Sequence, residues 1–150
     1  MFTPNKTNIF LLFNLPSAFF SGVRAVEIDE FHSKVKVRHN WFNKNPFRSM
    51  YFAVQAMAAE LSTGVLVMNA IKKSIENISM LVVSNESTFL KKATGTIIFT
   101  CNEGKEVQYT IQKVLQTGQP QTIWMESVGV NQKGEVVSKM RFEWALKIKK

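Results

Sequence analysis

"SMYFAVQAMAAELSTGVLVMNAI", Ser49 to Ile71, lies between Arg48 and Lys72 and holds a single charge, Glu60. Ala, Met, Leu and Glu are good helix formers and fill the run from Met50 to about Lys73. Pro46 disfavours helical geometry at Asn45, and Ser49 stands where an N-cap belongs. At ~1.5 Å per residue such a helix is about 35 Å long. It is apolar nearly all round, so it either crosses a membrane or is enclosed by other structure. Glu60 at mid-bilayer would cost about 3 kcal/mol, in addition to Gln55 and Asn69. An enclosed helix is therefore expected, with residues 47–73 as the central helix.

The flanking sequence supplies strands to enclose it. "SKVKVRH" alternates cleanly, with Val35 and Val37 on one face and Lys34, Lys36 and Arg38 on the other. "VRAVEIDE" before it is a strand with an ambiguous buried face, and the two form a hairpin around Glu30 to Ser33. "NWFNKNPFRS" is turn chemistry. After the helix, "ISMLVVSNESTF" and "GTIIFTCN" read as strands, and "EGKEVQYTIQKVLQTGQ" as a short helix or an irregular connection. "QTIWMESVGVN" and "EVVSKMRFEWALKIK" close the chain as a hairpin around "QKGE". The expectation is one α+β domain over 1–150, with five or six antiparallel strands wrapped around the helix. Residues 1–22 form an N-terminal helical segment. Its run "NIFLLFNLPSAFFSG" is interrupted by Asn14 and Pro16, which argues against a signal peptide. A short amphipathic helix closing over the domain is expected, the alternative being membrane contact through its Phe residues.

The net charge of +8, from 19 Lys+Arg against 11 Asp+Glu, favours an anionic partner: nucleic acid, an anionic membrane or a phosphorylated small molecule. Trp41, Phe42, Trp124 and Trp144 could stack bases, but the cations are scattered and no nucleic-acid motif is present. Neither nucleic acid nor membrane is the expected partner. The one cysteine, Cys101, excludes an intramolecular disulfide and a multi-cysteine zinc site and fits a reducing compartment. His32 and His39 are its only distant candidate bases, so a structural thiol is expected.

"NPFRSMYFAVQAMAAELSTG", preceded by a hairpin and followed by "TFLKKATGTIIFTC", resembles the hotdog-fold thioesterase superfamily. It is most similar to the phenylacetate-type acyl-CoA thioesterases and a related uncharacterised bacterial family, over roughly residues 20–150. The resemblance implies a hotdog fold: an antiparallel sheet wrapped around one long helix. In that family a helix Asp or Glu stands fifteen positions after an Asn, as Glu60 does after Asn45. Tyr51 takes the place of a usual His, Phe52 and Ala53 that of two Gly, and Arg48 that of a small residue.

By that resemblance Glu60 activates water or attacks the thioester, Asn45 positions the nucleophile, and the amides of Phe52 and Ala53 polarise the carbonyl. Thr63 would bond the carboxylate or water, Ser79 would orient water, Arg48 and Tyr51 would shape the entrance, and Lys91 and Lys92 would hold CoA phosphates. The substrate is an acyl-CoA or acyl-carrier-protein thioester, with no metal and no cofactor, in the cytoplasm. The site forms across a homodimer, Asn45 of one chain facing Glu60 of the other, and pairing of dimers into tetramers is left open.

Elementary physics agrees with this division of labour. A helix N-terminus offers unpaired N–H groups to an oxyanion, and an apolar enclosure raises a carboxyl pKa toward the general-base range. Plainer roles stay open. Glu60 could pair with Arg24, Arg38 or Lys92, Thr63 could bond back to the Ala59 carbonyl, Ser79 could be an ordinary strand serine, and both lysines could be solvated. Side chains at Phe52 and Ala53 narrow the entrance, so a dimer that binds an acyl group or thioester without cleaving it is the alternative function.

Overall fold

The computed structural model describes residues 1–149. Two short helices, α1 (Pro4–Asn14) and α2 (Pro16–Phe20), precede the hairpin of β1 (Arg24–Ile28) and β2 (Ser33–Arg38). The long helix α3 (Phe52–Lys73) is followed by β3 (Ile78–Phe89), β4 (Thr96–Cys101), α4 (Gly104–Thr117), β5 (Gln121–Asn131) and β6 (Val136–Ile148). The six strands form one sheet in the order β1-β2-β4-β5-β6-β3, every neighbouring pair antiparallel. This is the sheet-around-a-helix layout that the resemblance implied.

Helix α3 is apolar nearly all round because the sheet and α4 cover most of it. It is long and apolar enough to cross a membrane, but its central turns are buried among strands. Every second residue of β6 from Ser138 to Leu146 is buried, and two of them bond to α3. Trp144 Nε1 donates to Thr63 Oγ1 at 3.0 Å, and Ser138 Oγ donates to Gln55 Oε1 at 3.0 Å. Deeper along the helix, Ser62 Oγ and Ser127 Oγ lie 2.7 Å apart, joining α3 to β5. Buried hydroxyls are tolerated here because each has a partner.

Four sequence expectations are refined. The helix starts at Phe52, later than the expected 47–50, because the chain stays extended through Tyr51. Ser49 is not the cap; its hydroxyl and amide are bound to Asn45. The undecided segment is helix α4, which buries Val107, Ile111 and Val114 at helical spacing and stops at Gly118 in the left-handed region (φ 65°). The ambiguous face of β1 has a physical cause. The register shifts between Ala25 and Glu27, so Ala25 and Ile28 are both buried despite opposite parity.

The N-terminal segment also departs from expectation. Helix α1 buries only Thr7 and Leu11, and it turns Ile9, Leu12 and Phe13 outward. It packs on β1, but it is not amphipathic in the sense expected of a lid.

Candidate active site

Two backbone hydrogen bonds fix the entry of α3: Met50 N–H to the Ala93 carbonyl (2.8 Å) and Tyr51 N–H to the Asn43 carbonyl (2.9 Å). Tyr51 caps the helix through its backbone alone. Among the described residues nothing accepts from the amides of Phe52 and Ala53, the first of the helix. They carry the partial positive charge of a twenty-two-residue helix.

A cavity of about 520 Å³ adjoins this helix end. Phe47, Tyr51, Phe52, Phe89 and Leu90 supply its apolar wall, Gln55 lies at its floor, and Lys91 and Lys92 stand at its rim. Phe52 holds Tyr51 and Phe89 in edge-to-face contacts, with ring centroids 5.0 and 6.2 Å apart. An aromatic side chain thus fills part of the space where the family pattern has glycine.

Asn45 lines the cavity, but its side chain is spent on its own loop. Oδ1 accepts from the amides of Phe47 (2.9 Å) and Ser49 (3.2 Å), and Nδ2 donates to Ser49 Oγ (3.1 Å) and the Met50 carbonyl (3.4 Å). It shapes the loop instead of orienting a nucleophile within this chain. Arg48 has left-handed backbone (φ 60°), uncommon outside glycine, and lies on the exposed side of the loop.

Glu60 lies two turns down α3, about 12 Å from Phe52 by helical rise. It is half-buried, among the described residues its carboxylate forms no ion pair or hydrogen bond, and desolvation pushes that carboxyl above the usual carboxylate range. The ion-pair alternatives are therefore corrected. Arg24 stacks on the Phe19 ring (3.7 Å) and donates to the Phe19 and Val23 carbonyls, while Lys92 Nζ donates to the Phe47 carbonyl (3.3 Å). Arg38 is exposed and unpaired among the described residues.

Gly64 makes room for the acid. A Cβ there would sit 3.7 Å from Glu60 Oε1 and 3.2 Å from the Trp144 ring. On the same side of α3, Ala53, Ala56 and Met57 are also only half-buried, leaving an open stripe with Glu60 on it.

The remaining candidates sort plainly. Thr63 Oγ1 donates to the Glu60 carbonyl (2.9 Å) and accepts from Trp144, so it cannot serve the carboxylate; Ser62 takes the Ala59 carbonyl instead. Ser79 donates to the Lys147 carbonyl (3.0 Å) and is a strand serine. Lys91 pairs with Glu135 at 2.5 Å. The Cys101 thiol is buried and pushed up to about 12, which leaves no thiolate to attack anything. Trp144 is buried and unavailable for stacking. Gln55 escaped notice as a site residue. A buried amide in an apolar helix, one turn from its start, was the available signal.

A family described as a domain of unknown function, DUF4442, matches residues 7–146. The chain is a DUF4442 domain. No curated protein matches the sequence. Solved structures do match in shape. A protein of unknown function from Pseudomonas aeruginosa superposes with TM-score 0.80 at 20% identity, covering 99% of each chain. A Haemophilus influenzae thioesterase matches with TM-score 0.73 at 10% identity, over 99% of this chain and 92% of that one. A Staphylococcus aureus protein bearing a Glu-to-Ala substitution matches with TM-score 0.69 at 15% identity, over 91% and 100%. The DUF4442 domain therefore has the fold of these structures, the hotdog fold.

Proposed function

We propose that this DUF4442 domain hydrolyses an acyl thioester carried on CoA or on an acyl carrier protein. The observation that carries this is the start of α3, where the amides of Phe52 and Ala53 have no acceptor among the described residues and Phe52 lines an apolar cavity, on a helix that also bears a desolvated Glu60 with no ion pair among the described residues. The acyl chain lies among Phe47, Phe89 and Leu90, and the two amides receive the thioester oxygen. Glu60 takes a proton from water, whose oxygen attacks the carbonyl carbon. The C–S bond then breaks, and the departing thiolate takes the proton from Glu60.

Glu60 of the same chain is too far along the helix for this, so the acid comes from a second copy. Strand β3 is an edge strand of twelve residues, with Leu81 and Val83 exposed. Two copies joined antiparallel along β3 lay their α3 helices antiparallel through the open stripe of Ala53, Ala56 and Met57. Residues 52 and 60 are equidistant from residue 56. A two-fold axis at Ala56 thus sets Phe52 of one chain opposite Glu60 of the other.

Two comparisons support the assignment. The Haemophilus influenzae and Staphylococcus aureus proteins are described as thioesterases. Solved variants of the latter carry substitutions at a Gln and a Glu fifteen residues apart, the spacing of Asn45 and Glu60 here.

Purified protein offered short, medium and long acyl-CoAs should release free thiol. The rate should climb with pH as Glu60 ionises, with its inflection above the ordinary glutamate value. Glu60→Gln should lower turnover on the order of 100-fold or more while the dimer stays folded. Unchanged turnover in that variant would remove the mechanism. A second reading rests on Phe52, whose ring occupies the cavity mouth. A dimer that binds acyl-CoA tightly and releases no thiol would select that non-hydrolytic role.

A further inference from the structure

The outward side of the N-terminal segment is the least expected surface of the molecule. Ile9, Leu12 and Phe13 follow the i, i+3, i+4 spacing of one helix face, yet that face of α1 points away from the domain. Leu15 and Phe20 extend it across α2. Trp41 and Phe42 join it from the loop after β2, where Phe42 closes an open groove of about 680 Å³ with Pro16 and Phe20. Phe13 and Trp41 are 77% and 78% exposed, values that no core role explains. The loop is not loose: Asn43 Nδ2 donates to the Ser21 carbonyl (3.0 Å) and to the Arg38 carbonyl (2.9 Å), holding the aromatics beside α2.

The segments that carry the patch hold cations and no acid. Residues 1–26 and 31–59 contain no Asp or Glu. Lys6 lies on the same outward face of α1, Arg24 stacks on Phe19, whose ring meets Phe20, and Lys44 sits 5.7 Å over the Trp41 ring. Arg38 is exposed where the loop begins.

We propose that this aromatic patch, Phe13, Phe20, Trp41 and Phe42 with its rim of Lys6, Arg38 and Lys44, docks the protein on an anionic lipid bilayer. Apolar rings enter the interfacial zone while cations meet the headgroups, the composition that interfacial binding requires. A second copy of the chain fits less well, because a two-fold contact through this patch would set Lys44 and Arg38 against their own images. The patch lies by β1, at the opposite sheet edge from β3, so pairing along β3 leaves it open. Membrane contact through the N-terminal Phe residues is the alternative taken up here, in place of the expectation of no membrane partner. The inference is independent of the hydrolase assignment.

The test is flotation of the full chain with vesicles of neutral phosphatidylcholine, alone or mixed with anionic phosphatidylglycerol. Binding to the mixed vesicles, weakened by salt and absent from neutral ones, is expected. Trp41, the exposed one of the three Trp, should shift its emission to the blue on binding. The pair Phe13→Asp and Trp41→Asp should lower partition at least ~10-fold with an unchanged melting temperature. Trp41→Phe should abolish most of the spectral shift and keep the binding. Failure to bind mixed vesicles at low salt would overturn the proposal. So would binding unaffected by the paired substitution, or a patch-dependent oligomer that forms without lipid.

Discussion

Glu60 is an acid that the fold tolerates at a cost. Burial holds its carboxyl above the ordinary value and no cation among the described residues offsets this, so the folded chain retains the proton to higher pH than the unfolded chain does. Stability from this group is fullest below the unfolded pKa of about 4.3 and falls as pH rises through the folded value. Glu60→Gln should therefore melt above the parent at pH 8 and alongside it at pH 4, as scanning calorimetry at the two pH values would record. Glu103, shifted in the same direction, is common to both proteins and drops out of the difference. The acid was legible in the sequence because a lone carboxylate in an apolar run needs a reason. The spent hydroxyl of Thr63 and the spent amide of Asn45 were not, because their partners come from Trp144, 81 residues away, and from a loop geometry that composition does not specify.

At the scale of elements, every strand was legible as a strand, and only the buried face of β1 stayed ambiguous. A bulge shifts the parity of everything after it, so β1 looked two-faced until its register was known. Helix α4 was undecided because ten of its fourteen residues stay at least partly in solvent, and only three apolar positions betray its inner face. Its anchor is Gly104, where a Cβ would overlap the Glu30 carbonyl in the β1–β2 turn. Gly104→Ala should cost about 1–3 kcal/mol, read as a lower midpoint in urea. Lys113→Ala on the exposed side of the same helix should change stability by less than about 0.5 kcal/mol.

For the whole molecule the enclosed helix decided the architecture, and it left one stripe of itself uncovered. In the pairing proposed above, a second copy covers that stripe. Ala56→Arg, which would bring two like charges together at the two-fold axis, should yield a monomer by light scattering with native circular dichroism. Thioester hydrolysis should fall to background although Glu60 is intact. A fully active monomer would refute shared sites. Nothing in one chain's sequence states where a second copy sits, which is why the site could be assembled from the sequence only by resemblance.

The irregularity in β3 between Val82 and Ser84 has a bearing on chemistry. Met80 and Val82 line up beside Leu146 and Trp144, whereas beyond the extra residue it is Asn85, Ser87 and Phe89 that stand beside Phe142, Met140 and Ser138. One inserted residue thus hands the concave wall from aliphatic side chains to an amide, a hydroxyl and the ring that touches Phe52. Were the same strand paired without that irregularity, Ser84, Glu86 and Thr88 would stand beside Phe142, Met140 and Ser138, exchanging the Phe89 ring for a charge on that wall.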